Sequence, residues 1–233
     1  MRDLLLALDY CHRECKIIHT DVKSSNIIMQ LNFEVTPSDF NPKDHETFEF
    51  NDKENGSCVI TKAAPLGNFP DGDRLDLEWW RKNGRFKLMD FGVACFSDKV
   101  HEYPSDISAA ALRAPEAFIQ ADWDSSVDIW STGLTLFHLL TAHPLYPDGL
   151  DEKLLYPLWM YLVFGKFPLP LLEQSRIGGA WFSRETGLPH EEYMSGLPND
   201  VLAIDELLIR LLELYGRPPP SQELLTFMSR MLV

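Results

Sequence analysis

His19-Thr20-Asp21-Val22-Lys23-Ser24-Ser25-Asn26 is the stretch on which the reading of this chain turns. It sets an acid, Asp21, two residues before a cation, Lys23, and five before an amide, Asn26, straight after a short β-type run at 15–18. Phosphoryl transfer needs a carboxylate to orient a hydroxyl and take its proton, a positive charge on the phosphates, and an oxygen ligand for the bridging magnesium. The order suits that chemistry. By itself the octet also fits a polar turn, since Asp, Asn and Ser side chains bond their own backbone readily.

Three more motifs follow in order. Phe86-Lys87-Leu88-Met89 reads as a strand that delivers Asp90-Phe91-Gly92, Ala114-Pro115-Glu116 comes next, and Asp128-Ile129-Trp130-Ser131-Thr132-Gly133 opens an apolar helical run. On these motifs the chain resembles the eukaryotic serine/threonine protein kinases. Within them it is most similar to the SR-protein kinases, which phosphorylate arginine/serine-rich splicing factors. The resemblance covers nearly the whole chain and implies an α+β, mostly α-helical kinase C-lobe. Its small β patch would consist of the strands flanking Asp21 and the one before Asp90.

The resemblance also implies roles for individual residues. Asp21 matches the acceptor of the substrate hydroxyl's proton, and Lys23 the lysine held against the transferring phosphate, where its charge offsets what develops on the equatorial oxygens. Asn26 and Asp90 match the two magnesium ligands, oxygen donors suited to a hard cation that keeps waters and phosphates in its shell. Phe91 packs, Gly92 permits the backbone turn, and Asp128 bonds the loop backbone around His19. ATP and Mg2+ are the implied cofactors, and the implied partner is a basic, arginine/serine-rich protein substrate of a monomeric enzyme in the cytoplasm or nucleus.

Three departures from the family pattern carry consequences. Thr20 stands where most kinases have an arginine that clamps an activation-loop phosphate, as it does in the SR-protein kinases, which implies activity without that phosphate. Ser97, Ser105 and Ser108 are then expected to confer no switch. Ala109 aligns with the usual threonine that bonds the catalytic Asp and Lys, so that hydroxyl is missing. No glycine-rich loop, nucleotide-binding lysine or helix-C glutamate precedes the octet, so the N-lobe is expected to be absent and the chain alone nearly inactive. The alternative function is a non-catalytic pseudokinase or remnant lobe that binds a basic partner.

Composition sets wider bounds. With 233 residues, 45% of them hydrophobic, the chain can bury a sizeable core. Its 35 acidic against 21 basic residues give a net charge of −14, which disfavours direct nucleic-acid binding and favours basic partners, though it equally fits plain solubility. Cys11, Cys15, Cys58 and Cys95 lack CxxC spacing and read as reduced intracellular thiols. No stretch approaches the roughly 20 apolar residues of a membrane span, so no membrane association is expected.

The remaining segments fit one partial kinase domain over 1–233 with an insertion at about 31–84. Residues 2–14 place Leu4, Leu5, Leu8 and Cys11 near one helical face, with no cap at the start. The insertion is rich in Pro, Asp, Asn and Gly without sustained periodicity, and its Trp79-Trp80 pair is expected to pack on the body. SR-protein kinases are split by a spacer at the same place. Residues 124–141 read as a buried central helix. A further helix at 154–164 is expected to break at Pro157, and the last helix starts from Ser221 as N-cap, with Leu224, Phe227 or Met228, and Met231 on one face. Asp148, Asp151 and Glu152 lie where the family's substrate-docking face is found. The basic residue that pairs with the glutamate matching Glu116 is missing, so Glu116 is expected to be unpaired or rearranged.

Overall fold

A computed structural model describes residues 1–31, 47–52, 56–61, 84–103, 106–146, 152–194 and 203–232. The chain divides into two compact units, one of Met1–Ile28 with Phe86–Val233 and one of Met29–Arg85. The first unit is mostly helical and carries all the motifs quoted above.

It opens on helix α1, Arg2–Tyr10, which has no side-chain cap. Leu4 and Leu8, one turn apart, are buried together with Val22 in a small cluster of their own. The helix does not continue regularly to residue 14. It widens into a π-helical turn, Cys11–Cys15, and stops at Lys16 in the left-handed region, φ 57°. Such a bulge re-aims the side chains beyond it, and here it sends His12 toward the interior.

Three short strand pairs follow. Strand β1, Ile17–Ile18, pairs antiparallel with β6, Cys95–Phe96, in the register Ile17↔Phe96 and Ile18↔Cys95. Strand β2, Ile27–Leu31, pairs with β5, Gly84–Leu88. In the second unit, β3, Thr47–Asp52, and β4, Gly56–Thr61, form a hairpin with Phe48 opposite Ile60 and Phe50 opposite Cys58. The sequence expectation of an insertion without periodicity overlooked this hairpin. Its 47–52 run does alternate apolar and polar residues.

After a short α2, Pro115–Phe118, comes the central helix α3, Ser126–Thr141. Asp124 starts it by accepting the Ser126 N–H at 2.7 Å. Val127, Trp130, Leu134 and Phe137 lie in the main core. The helix also buries hydroxyls that have partners: Thr132 Oγ1 donates to the Asp128 carbonyl at 2.7 Å and Ser131 Oγ to the Leu112 carbonyl at 2.9 Å, whereas the buried Trp130 indole N–H has none among the described residues. Gly133 lets the end of the chain approach, because a Cβ there would lie 2.8 Å from a Leu232 methyl.

Two helices differ from the sequence expectation. Helix α4, Glu152–Phe164, runs through Pro157 without breaking. The proline forfeits one backbone bond, but Tyr156, Leu158, Met160, Leu162 and Val163 are all buried, and that burial outweighs local propensity. After α5, Leu169–Gln174, and α6, Glu191–Met194, helix α7, Ile204–Leu214, was not foreseen from the sequence; it buries Leu208 and Leu212 against α3. The last helix, α8, Gln222–Ser229, is capped as expected by Ser221, whose Oγ accepts the Leu224 N–H at 3.3 Å. Its inward face carries Leu225 and Met228 rather than Leu224. No helix among the described residues is long and apolar enough to cross a membrane.

Candidate active site

The octet is not a free turn. Its anchor is Asp128, on the first turn of α3 and fully buried. The carboxylate accepts the His19 N–H at 2.8 Å on one oxygen and the Thr20 N–H at 2.7 Å on the other. His12 Nε2, delivered by the π turn, donates to Asp128 Oδ2 at 2.7 Å. Three donors on one buried carboxylate satisfy most of its lone pairs, and bonds to a charged acceptor are stronger than neutral ones.

His19 ties the octet to the segment before Asp90. Its Nε2 faces the Met89 carbonyl at 3.0 Å, and a carbonyl can only accept, so Nε2 carries the hydrogen. Nδ1 is then the acceptor for the Asp21 N–H at 3.3 Å. The Met89 N–H in turn donates to the Asn26 carbonyl at 2.9 Å. The Phe91 ring meets His19 edge-on, centroids 4.8 Å apart.

Of the residues named from the sequence, Lys23 and Asn26 come together on Asp21. Lys23 Nζ lies 2.7 Å from Asp21 Oδ2. Asn26, itself buried, donates its amide nitrogen to the Asp21 carbonyl at 2.9 Å and to Asp21 Oδ2 at 3.0 Å. The nitrogen being committed to Asp21, the amide oxygen is the atom Asn26 can offer a hard cation. Asp90 is exposed, with Oδ1 accepting the Gly92 N–H at 3.4 Å. A carboxylate and an amide oxygen are donor types that fit magnesium, a hard cation that keeps waters and phosphate oxygens in its shell. Among the described residues no group of three or more His, Cys, Asp and Glu could hold a metal.

The turn after β5 departs from expectation in one respect. The left-handed residue is Asp90, φ 66°, and not Gly92. Aspartate tolerates that region better than most residues. A Cβ at Gly92 would meet Asp90 Oδ1 at 3.3 Å, so what Gly92 provides is room for the carboxylate.

Thr20 is buried and left-handed, φ 65°, a strained state for a β-branched residue. All three of its polar groups are engaged: N–H with Asp128, Oγ1 donating to the Val93 carbonyl at 3.0 Å, and its carbonyl accepting Ser108 Oγ at 2.5 Å. Ser108 and His12 were not named as site residues from the sequence. Nothing local marks them, since their partners lie 88 and 116 positions away.

Glu116 has a hydroxyl partner rather than a cation: Ser126 Oγ donates to Oε1 at 3.3 Å. Burial pushes its carboxyl above the usual carboxylate range, an effect the backbone and Ser126 bonds only partly offset. Trp79-Trp80, Asp148, Asp151 and Ser105 lie outside the described residues, as does the side chain of Glu152.

The family described as "Protein kinase domain" matches residues 79–232. The chain is 28% identical over 166 residues to the serine/threonine-protein kinase SRPK of Physarum polycephalum, covering 65% of this chain and 36% of that protein. It is 30% identical over 179 residues to a serine/threonine protein kinase of Aspergillus fumigatus, covering 75% and 39%. A dual specificity tyrosine-phosphorylation-regulated kinase of Rattus norvegicus is 39% identical over 104 residues, 44% of this chain and 17% of that protein. The chain thus spans well under half the length of these relatives. Among solved structures, a yeast RNA polymerase II CTD kinase complex shares the fold with TM-score 0.56 at 18% identity, over 98% of this chain and 53% of that one. A second kinase domain matches with TM-score 0.52 at 22% identity, over 99% and 63%.

Proposed function

The chain belongs to the protein kinase domain family, and from that premise we propose that it is the catalytic-loop portion of a serine/threonine kinase acting on basic, arginine/serine-rich proteins. The observation that carries this is the joint contact of Lys23 and Asn26 with the Asp21 carboxylate.

In this reading, Asp21 accepts the hydrogen bond of a substrate serine hydroxyl and takes its proton as the oxygen bonds to the γ-phosphorus of ATP. The bond from that phosphorus to the bridging oxygen breaks and the electron pair leaves with ADP. Lys23, within ion-pair reach of Asp21, offsets charge on the transferring group. The Asn26 amide oxygen and the Asp90 carboxylate would hold magnesium, which would offset charge on the phosphates. Residues 1–233 then form a partial kinase domain with an insertion at about 31–84.

The preference for basic substrates rests on the net charge of −14 and on the SRPK relative. A partner-binding module without catalysis is the second reading, and Ala109, which lacks the expected hydroxyl, favours it. Turnover by this chain alone is slow, because nothing in its sequence resembles the glycine-rich loop that covers the phosphates.

The test is single-turnover transfer of labelled phosphate from magnesium-ATP to arginine/serine and acidic peptides at low and high salt, with Asp21→Asn as control. Slow, Asp21-dependent, salt-sensitive transfer favouring the basic peptide is expected. Preference for the acidic peptide, or transfer unaffected by Asp21→Asn, would overturn the proposal.

A further inference from the structure

The segment that ends at Ala109 reaches the octet through a neighbouring side chain. Ser108 Oγ donates at 2.5 Å to the carbonyl of Thr20, the residue immediately before Asp21. We infer that Ser108 is a positioning residue, whose hydroxyl fixes the peptide joining Thr20 to Asp21 and so aims the Asp21 carboxylate.

Both ends of this bond are strained in the same way. Thr20 has φ 65° and Ser108 φ 64°, and neither residue type favours the left-handed region. Such conformations persist where the surroundings over-determine them. At Thr20 the N–H is set by Asp128 and the side chain by Val93, and the Ser108 hydroxyl sets the carbonyl. With Thr20 almost fully buried, a carbonyl deprived of that hydroxyl would stay unpaired or turn, and turning it rotates the Thr20–Asp21 peptide.

Ser108 is itself held from the far side. Arg113 donates through Nη2 to the Ser108 carbonyl at 3.1 Å and through Nε to the Ile107 carbonyl at 2.8 Å. Its guanidinium also pairs with Asp106 at 2.5 Å and sits over the Phe118 ring. The path from α2 to Asp21 therefore runs through Arg113, Ser108 and Thr20. It takes over the tie that the missing Ala109 hydroxyl would have made, by a backbone carbonyl instead of the catalytic side chains.

The variant that separates positioning from general stability is Ser108→Gly, which removes the hydroxyl while relieving the left-handed strain. Ser108→Ala removes the hydroxyl and keeps the strain. Two readouts are taken on the full chain: amide hydrogen exchange at Thr20 and Asp21, and the single-turnover transfer rate with its dependence on ATP concentration. Both variants should exchange faster at these two amides by about tenfold, and transfer should fall about five- to tenfold, the worth of one net hydrogen bond. The ATP concentration for half-maximal rate should not move, because Ser108 contacts neither Asn26 nor Asp90. Ser108→Gly should melt no lower than the parent.

Unchanged exchange at Thr20 and Asp21 in Ser108→Gly overturns the inference, whatever the activity. So does a transfer loss found in Ser108→Ala and not in Ser108→Gly, which would trace it to general destabilisation. The activity arm rests on the kinase reading. If the parent chain transfers no phosphate, that reading has failed, and the exchange measurement alone decides the role of Ser108.

Discussion

Thr20 Oγ1 donates to the Val93 carbonyl at 3.0 Å, fastening the residue before Asp21 to the residue after the Asp90-Phe91-Gly92 turn. An arginine at this position would reach outward for a phosphate. A threonine instead closes a short local bond between two segments that both carry site residues, with no charge on either side.

Thr20→Val keeps the β-branched shape and removes this donor. The Val93 carbonyl belongs to an exposed residue and can turn to water, so the loss should be modest, about 1 kcal/mol. A fall in melting temperature of about 2–4 °C is expected for a chain of this size. Phosphatase treatment of the parent chain should change neither melting nor transfer rate, since the octet has no arginine to pair with a phosphate.

Asp128 gathers three donors from two segments, His12 of the π-helical turn and His19 and Thr20 of the octet. Asp128→Asn offers one acceptor oxygen where two are used and turns an NH2 toward a backbone donor. The expected loss is about 2–3 kcal/mol, seen as a lower midpoint in urea unfolding. Faster amide exchange at His19 and Thr20 should accompany it. Unfolding midpoints that coincide with the parent would contradict the anchoring role.

Leu8 and Leu6 lie two residues apart on α1 with 0% and 53% of their surface exposed. Leu8→Ala should cost about 2–5 kcal/mol through lost burial and a residual cavity. Leu6→Ala should stay within about 0.5 kcal/mol. Denaturant titrations of the two variants compare the values directly.

Glu116 gives a pH dependence whose sign is fixed by the direction of its shift. Burial raises its folded-state pKa above the ordinary value, so the folded protein holds this proton more tightly than the unfolded chain. The stabilising contribution is fully present below the ordinary carboxylate pKa and is lost as pH rises through the raised folded value. Glu116→Gln, neutral at every pH, should therefore be more stable than the parent near neutrality, and the difference should close in acid. Melting curves between pH 4 and pH 8 test this; a variant less stable than the parent near pH 7 would mean that Glu116 has a cationic partner.

Sequence and structure divide along the range of the contacts. Asp21, Lys23 and Asn26 meet because they stand two and five positions apart on one short loop, so their spacing alone was enough to nominate them. Helix α3 was legible from its period, and Ser221 from its place before α8. Helix α7 was legible in principle, since Leu208 and Leu212 lie on one face, and the β3–β4 hairpin could have been read from the alternation at 47–52.

What no local pattern could supply was decided by packing between distant segments. His12 finds Asp128 across 116 positions, and Ser108 finds Thr20 across 88. The left-handed residue falls on Asp90, where the Met89 carbonyl just before it is held by His19 and its own carboxylate accepts the Gly92 N–H. Pro157 stays inside α4 because its buried neighbours outweigh one lost backbone bond. The sequence by itself determined which side chains could carry the chemistry, through their types and close spacing. The tertiary structure decided how they are aimed, because aim depends on buried partners whose positions follow from the whole core.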